Sequence, residues 1–184
     1  MLPKHKYLLT YRYAEMIHDL TVPFCEKWID WRSRTKDQMV QAARSGKQNI
    51  VEGVGQSSVS SKGEIKLLGV AKASLEELIS DYEDILRQKN LPIWPKTDPR
   101  ILKFRDLGFR LSHLSNLGDL GNLKERPALP ESLEEAANLL LTFCHMATFL
   151  LDKQIKSAEE RFIRTGGFSE NLLQKRLKYK AGLP

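Results

Sequence analysis

Between Thr35 and Gly53 the sequence TKDQMVQAARSGKQNIVEG places Met39, Ala42, Gly46, Asn49 and Gly53 at alternating steps of three and four. That spacing draws a single stripe along a helix, and the stripe is made almost wholly of small residues. Thr35 followed three residues later by Gln38 is a capping-box pattern, which predicts a helix beginning at about Lys36. Small side chains cannot fill a wide gap, so this seam requires a neighbouring helix to approach closely. Each glycine costs helix propensity, about 1 kcal/mol against alanine, which a solvated position gives no reason to keep. Asn49, if buried in the same seam, must be hydrogen-bonded. One close helix–helix contact is therefore built into the chain.

The remaining segments follow the same period. Tyr13, Ile17, Leu20, Phe24, Trp28 and Trp31 form a helical stripe behind a basic lead-in over Met1 to Tyr11 that is expected to be mobile at its start. Pro23 falls inside it, leaving a kinked helix or a break with Thr21 capping a second segment. The stripe keeps its phase across the proline, which favours the kink. Arg32-Ser33-Arg34 reads as a short turn into the central helix, and Gly53 to Ser60 as a Gly/Ser-rich loop. A third helix opens with the capping box Ser61–Glu64 and carries Leu68, Ala71, Leu75, Leu78, Tyr82 and Ile85 to about Lys89. The proline-rich stretch Leu91 to Asp98 ends it. Asp98-Pro99 starts a short helix whose apolar face is Phe104, Leu107, Leu111 and Leu114, with Gly118 and Gly121 as its end. The last long helix is expected from about Glu131 to Arg164, stopped by Gly166-Gly167, with a short amphipathic tail over Phe168 to Tyr179. No segment alternates with period two, so no sheet is expected. The expected fold is all-α: an antiparallel up-down four-helix bundle over residues 1–165, a helical insertion at about 92–130, and a tail over 166–184.

A chain of 184 residues can bury a core without disulfides or metals. Cys25 and Cys144 lie far apart within apolar helical patterns and read as reduced core thiols of a cytoplasmic protein. Met1 to Thr10 has charges but no apolar run behind them, so no secretory leader is expected. Leu139 to Leu151, the richest apolar stretch, is interrupted by Thr142, His145 and Thr148 and is too short to span a bilayer. The net charge of +6 leans toward anionic partners.

Several residues carry a resemblance. Gln38, Ala42-Ala43, Ser45, Asn49-Ile50 and Glu52-Gly53, followed by Glu64 and by LLGVAKASLEE at Leu67 to Glu77, resemble the bacterial four-helix-bundle family. That family includes proteins encoded in intervening sequences of large-subunit ribosomal RNA genes and the accessory protein of diversity-generating retroelements. The match covers roughly Tyr13 to Leu91 well and the last long helix more loosely. The stretch ERFIRTGGFSENLLQKRLKYK resembles the C-terminal suffix of one subgroup. Where the family often has Ile-Pro, this chain has Gly46-Lys47. The resemblance implies a homo-oligomeric ring, typically a pentamer, with no enzyme activity and no cofactor. For members of the retroelement type it implies contact with a reverse transcriptase and with RNA or DNA through basic surface.

Four patterns bear on chemistry. Glu15 and His18 form an ExxH, but a di-iron bundle needs a second ExxH and two more inward carboxylates, and neither His5, His113 nor His145 has a Glu three residues before it. Cys144 and His145 are adjacent on a helix and point about 100° apart, so they cannot act as a nucleophile–base pair. Gly53-Val54-Gly55 follows a helix and lacks both a preceding strand and a third glycine, which excludes a phosphate loop. No catalytic or metal residues are assigned. Basic residues remain. Arg32, Arg34, Lys36, Arg44 and Lys47 form one group, expected to contact nucleic acid together with Lys175, Arg176 and Lys178. The C-terminal end as a whole sets Lys153, Lys156, Arg161, Arg164, Lys175, Arg176, Lys178 and Lys180 against Glu159, Glu160 and Glu170. Phosphate contacts of this kind give affinity without sequence readout. The bland reading is a solvated surface. The function expected is a non-enzymatic ring-forming scaffold or accessory factor. The alternatives are a protein-interaction module without nucleic-acid binding and a metal-dependent enzyme.

Overall fold

The computed structural model describes residues 3–112 and 127–182; Leu114, Gly118 and Gly121, which the sequence places in and after the short helix, lie outside the described residues. Among the described residues every regular element is helical: a 3₁₀ turn Lys4–Tyr7, then α1 Leu9–Trp28, α2 Arg34–Gln56, α3 Ser61–Gln88, α4 Pro99–Ser112, α5 Leu133–Thr165 and α6 Phe168–Lys180. The start of the chain, expected to be mobile, lies outside the described residues; from Lys4 the lead-in is structured, with buried Arg12 donating to the Lys6 carbonyl at 3.1 Å and also to the Ser112 carbonyl.

Helices α4 and α6 begin at Pro99 and Phe168 as expected, whereas three others start one or two residues away from the expected positions, each at a serine cap. The cap of α2 is Ser33, whose hydroxyl accepts from the Thr35 amide, so the helix begins at Arg34 and not at Lys36. The cap of α3 is Ser60, accepting from Gly63, which leaves Glu64 out of any capping box. Ser132 caps α5, which starts at Leu133 rather than Glu131. For α2 and α3 a nearby residue carries the same cap-forming hydroxyl, and tertiary packing selects between them. Pro23 sits inside a continuous α1, so Thr21 caps nothing; its hydroxyl donates to the Ile17 carbonyl instead. Trp31, expected on the α1 stripe, lies beyond the helix and is 76% exposed.

The seam of α2 packs as its small residues require. A Cβ on Gly46 would meet Leu75 Cδ2 at 2.8 Å, and one on Gly53 would meet the Glu64 carbonyl and Leu67 Cβ at 3.4 Å. This contact overrides the loop expected from Gly53: α2 continues through both glycines to Gln56. Asn49 is the exception. It is only half-buried and its amide bonds back to Ser45 of its own helix, while Ile50, one position on, is fully enclosed.

Facing pairs run in opposite numerical order: Gly46 meets Leu75 whereas Gly53 meets Leu67 and Leu68. Likewise Lys47 meets His18 and Met39 meets Cys25 across α1 and α2, and Lys72 meets Asp152 and Glu64 meets Arg161 across α3 and α5. Helix α1 packs on α2 and α5, α3 packs on α2 and α5, and α4 lies against α5 and α1. The enclosed core combines Ile17, Phe24, Met39, Leu75, Leu78, Tyr82, Leu140 and Phe143, each contributing about 1.5–3 kcal/mol by leaving water. Phe24 meets Tyr82 edge-on at 5.0 Å, and Gly108 lets α4 reach Tyr13 and Phe143. The proline-rich connector is pinned, not loose. The Trp94 amide donates to Asn138 Oδ1 at 2.8 Å, its indole donates to Glu134, and the Asn138 amide donates to the Pro92 carbonyl.

Candidate nucleic-acid interface

The cationic residues named from the sequence fall in three places. Arg32, Arg34 and Lys36 stand at the start of α2. Arg32 lies over the exposed Trp31 ring at 5.0 Å, and Lys36 is half-buried near Cys25. Arg34 lines a groove between α2 and α3 whose lining also holds the carboxylates of Asp37 and Glu77. Arg44 and Lys47 lie mid-helix toward α1. Lys47 Nζ is 3.1 Å from His18 Nδ1, and burial together with the charges of Lys47 and Arg44 holds that imidazole below its usual pKa. Lys175, Arg176 and Lys178 are on α6, every described residue of which is exposed. The 23-residue α2 is about 34 Å long, so these groups do not form one patch.

The third place is the most developed. Gly166, at φ +71°, ends α5, and the Gly167 amide is capped by the Glu170 carboxylate at 2.8 Å, which turns the chain into α6. Helix α6 then runs beside the α2–α3 loop. A groove of about 560 Å³ separates them, lined by Ser57, Ser58, Ser60 and Ser61 on one wall and by Asn171, Gln174, Lys175 and Lys178 on the other. Arg161 closes one end, its guanidinium bound to the buried carboxylate of Glu64. The N-terminal amides of α3 begin at the serine wall. Hydroxyl and amide donors facing ammonium groups suit the non-bridging oxygens of a phosphodiester. Among the described residues no ion pair involves Lys175, Arg176, Lys178 or Lys180.

The serine wall was not singled out from the sequence, where Gly53 to Ser60 read as a flexible loop. Its signal was the run SSVSS, five residues with four hydroxyls that lead into the first residue of a helix. The other candidate chemistry is occupied elsewhere. Glu15 accepts from the Tyr11 hydroxyl at 2.9 Å, and His18 faces Lys47 and Asp19. Cys144 is enclosed and burial pushes its thiol pKa up, while His145 points outward. Cys25 and Cys144 are both free thiols, and burial pushes Cys25 up to about 12. Gly53 and Gly55 both sit within α2. Among the described residues no cluster of His, Cys, Asp and Glu has the makings of a metal centre, and no helix is long and apolar enough to cross a membrane. Comparisons of the chain with protein-family models, with curated proteins and with solved structures each found no match.

Proposed function

We propose that this chain is a non-enzymatic subunit of the bacterial four-helix-bundle kind, with α1, α2, α3 and α5 as an antiparallel up-down bundle that assembles with copies of itself into a ring. In this reading the ring binds RNA or DNA as an accessory factor. The opposite numerical order of facing residues along each neighbouring pair supports the bundle. The apolar residues left exposed on α6 (Phe168, Leu172, Leu173 and Leu177, each more than half accessible) support assembly.

One observation carries the nucleic-acid reading. The groove between α6 and the α2–α3 loop sets Lys175 and Lys178 opposite four serines, of which Ser57 already donates its hydroxyl to the Val54 carbonyl, and has no carboxylate in its lining. The Arg34 groove, by contrast, contains Asp37 and Glu77. Phosphate contact therefore belongs to the α6 end more than to the start of α2. The expected behaviour is binding of structured RNA or duplex DNA with little sequence preference and steep salt dependence.

Fluorescence anisotropy with labelled duplexes across a salt series tests it. Lys175→Gln with Lys178→Gln should reduce the slope of log K against log salt by about 1–2, since each phosphate contact contributes about 0.9. Arg34→Gln with Arg44→Gln should change it little. No binding at about 50 mM salt, where phosphate contacts are strongest, would remove the nucleic-acid role. Light scattering tests assembly separately: one multiple of 21.1 kDa is expected, and a strict monomer at high concentration ends the ring.

A further inference from the structure

Helix α6 has two opposed faces. Asn171, Gln174, Lys175 and Lys178 turn toward the chain's own α2–α3 loop, with Phe168 at the edge of that groove and 52% exposed. About half a turn away, at 100° per residue, Leu172, Leu173, Arg176, Leu177 and Lys180 face away from it. Among the described residues this second face is unpartnered: its leucines are 54–57% exposed and neither cation makes an ion pair. On α3, a matching row runs along the outer side at Gly69, Ala73, Glu77 and Asp81. Space above Gly69 is open for at least 4 Å, Ala73 and Glu77 are exposed, and Asp81 is half-buried at the row's edge.

We infer that α6 of one copy docks along α3 of a second copy, with Phe168 and Leu172 over Gly69 and Ala73 and with Arg176 and Lys180 beside Glu77 and Asp81. A single offset of 99 residues relates all four pairs, as parallel helices in register require. Large apolar groups then fall on small residues and cations on carboxylates at every step. Both carboxylates are among the three on α3 without an ion pair within the described residues, Glu83 being the third. Glu76 is paired with Lys72 and Asp84 with Arg87, but among the described residues no cation pairs with Glu77 or Asp81. One oxygen of Asp81, Oδ2, is enclosed without a hydrogen bond, and burial with Glu77 and Asp84 raises that carboxyl's pKa to about 6. A cation arriving there is favoured by the field of all three acids.

The chain's own α6 cannot occupy the row. Arg161 is bound to Glu64, so Thr165 lies four residues beyond that level in one direction while Gly69 lies five residues away in the other. The axial gap is about 13 Å before any sideways travel around α3. Gly166 and Gly167 bridge at most about 10 Å from Thr165 to Phe168, even fully extended. The occupant is therefore a second copy, and each chain donates one helix and offers one row, a heterologous contact.

This rests on the assembly reading above, and charge reversal separates the two. In light scattering of the full chain, Arg176→Glu and Glu77→Arg should each weaken assembly by ~30-fold or more, through like-charge juxtaposition. The double variant should restore it. Both positions are exposed, and circular dichroism melts should match wild type. A second readout uses cysteine: mixing Ala73→Cys chains with Leu172→Cys chains under oxidation should yield a disulfide between the two, since Cys25 and Cys144 are enclosed. Wild type assembled with both reversals silent, or with no such disulfide, overturns this docking and leaves the ring standing. Wild type monomeric overturns both.

Discussion

Thr21 and Tyr82 show how little slack a core hydroxyl has. The Thr21 hydroxyl donates to the Ile17 carbonyl at 2.6 Å, and its oxygen is 2.8 Å from the fully buried Tyr82 hydroxyl. With one proton already committed, Thr21 must accept and Tyr82 must donate. Tyr82→Phe removes the donor and should cost about 1 kcal/mol. Thr21→Val strands a buried phenol and should cost about 1–3 kcal/mol, the larger loss. Urea denaturation of both single variants and the double should show the double costing less than their sum. At Asp81 the direction reverses. Its carboxyl is raised to about 6 by burial first and by Glu77 and Asp84 second, so the folded protein binds this proton more tightly than the unfolded chain. Stability from this group therefore increases as pH falls from about 7 toward the unfolded value near 4, and is flat below it. Asp81→Asn should stabilise at pH 7.5, by of order 1 kcal/mol after solvent screening, and its advantage should vanish near pH 4. A denaturation series over pH checks this, and equal profiles for both proteins would contradict it.

At the scale of elements, the α2–α3 seam leaves no room for a larger side chain at Gly46. Leu75 occupies the space a side chain at Gly46 would need. Gly46→Leu should destabilise by about 1–3 kcal/mol through overpacking, visible as a lowered melting temperature, whereas the same change at exposed Gly55, with nothing within 4 Å, should be neutral or stabilising. The period of three and four made these helices legible in sequence, because burial of one face enforces it. Their ends were less so. Thr35 and Ser33, or Ser61 and Ser60, offer the same oxygen to the same kind of amide, and only the packed neighbour decides between them. Asn49 and Ile50 illustrate a finer limit: the spacing puts Asn49 in the stripe and Ile50 beside it, yet Ile50 is the one enclosed, about 100° round the helix. The bond between Trp94 and Asn138 had no periodic trace, since it joins an irregular connector to one buried amide 44 residues on.

For the whole molecule, the basic residues were visible as a list and invisible as an arrangement. Arg34 and Lys178 look alike in sequence, yet one shares its groove with Asp37 and Glu77 and the other faces serines. Surface charge has no period to betray its neighbours, so its meaning waits on the fold. The joint at Gly166-Gly167 bears on a different question, that of closure. Identical copies joined head to tail form a ring only if the turn from each to the next divides a full circle. A stiff contact must meet that angle by shape alone. A contact made through α6 spreads the misfit over two residues whose backbone is the most permissive the chain has. Such a ring tolerates error at each joint, and for the same reason its joints do not count: with angular slack at every link, only crowding between the subunit bodies sets how many fit.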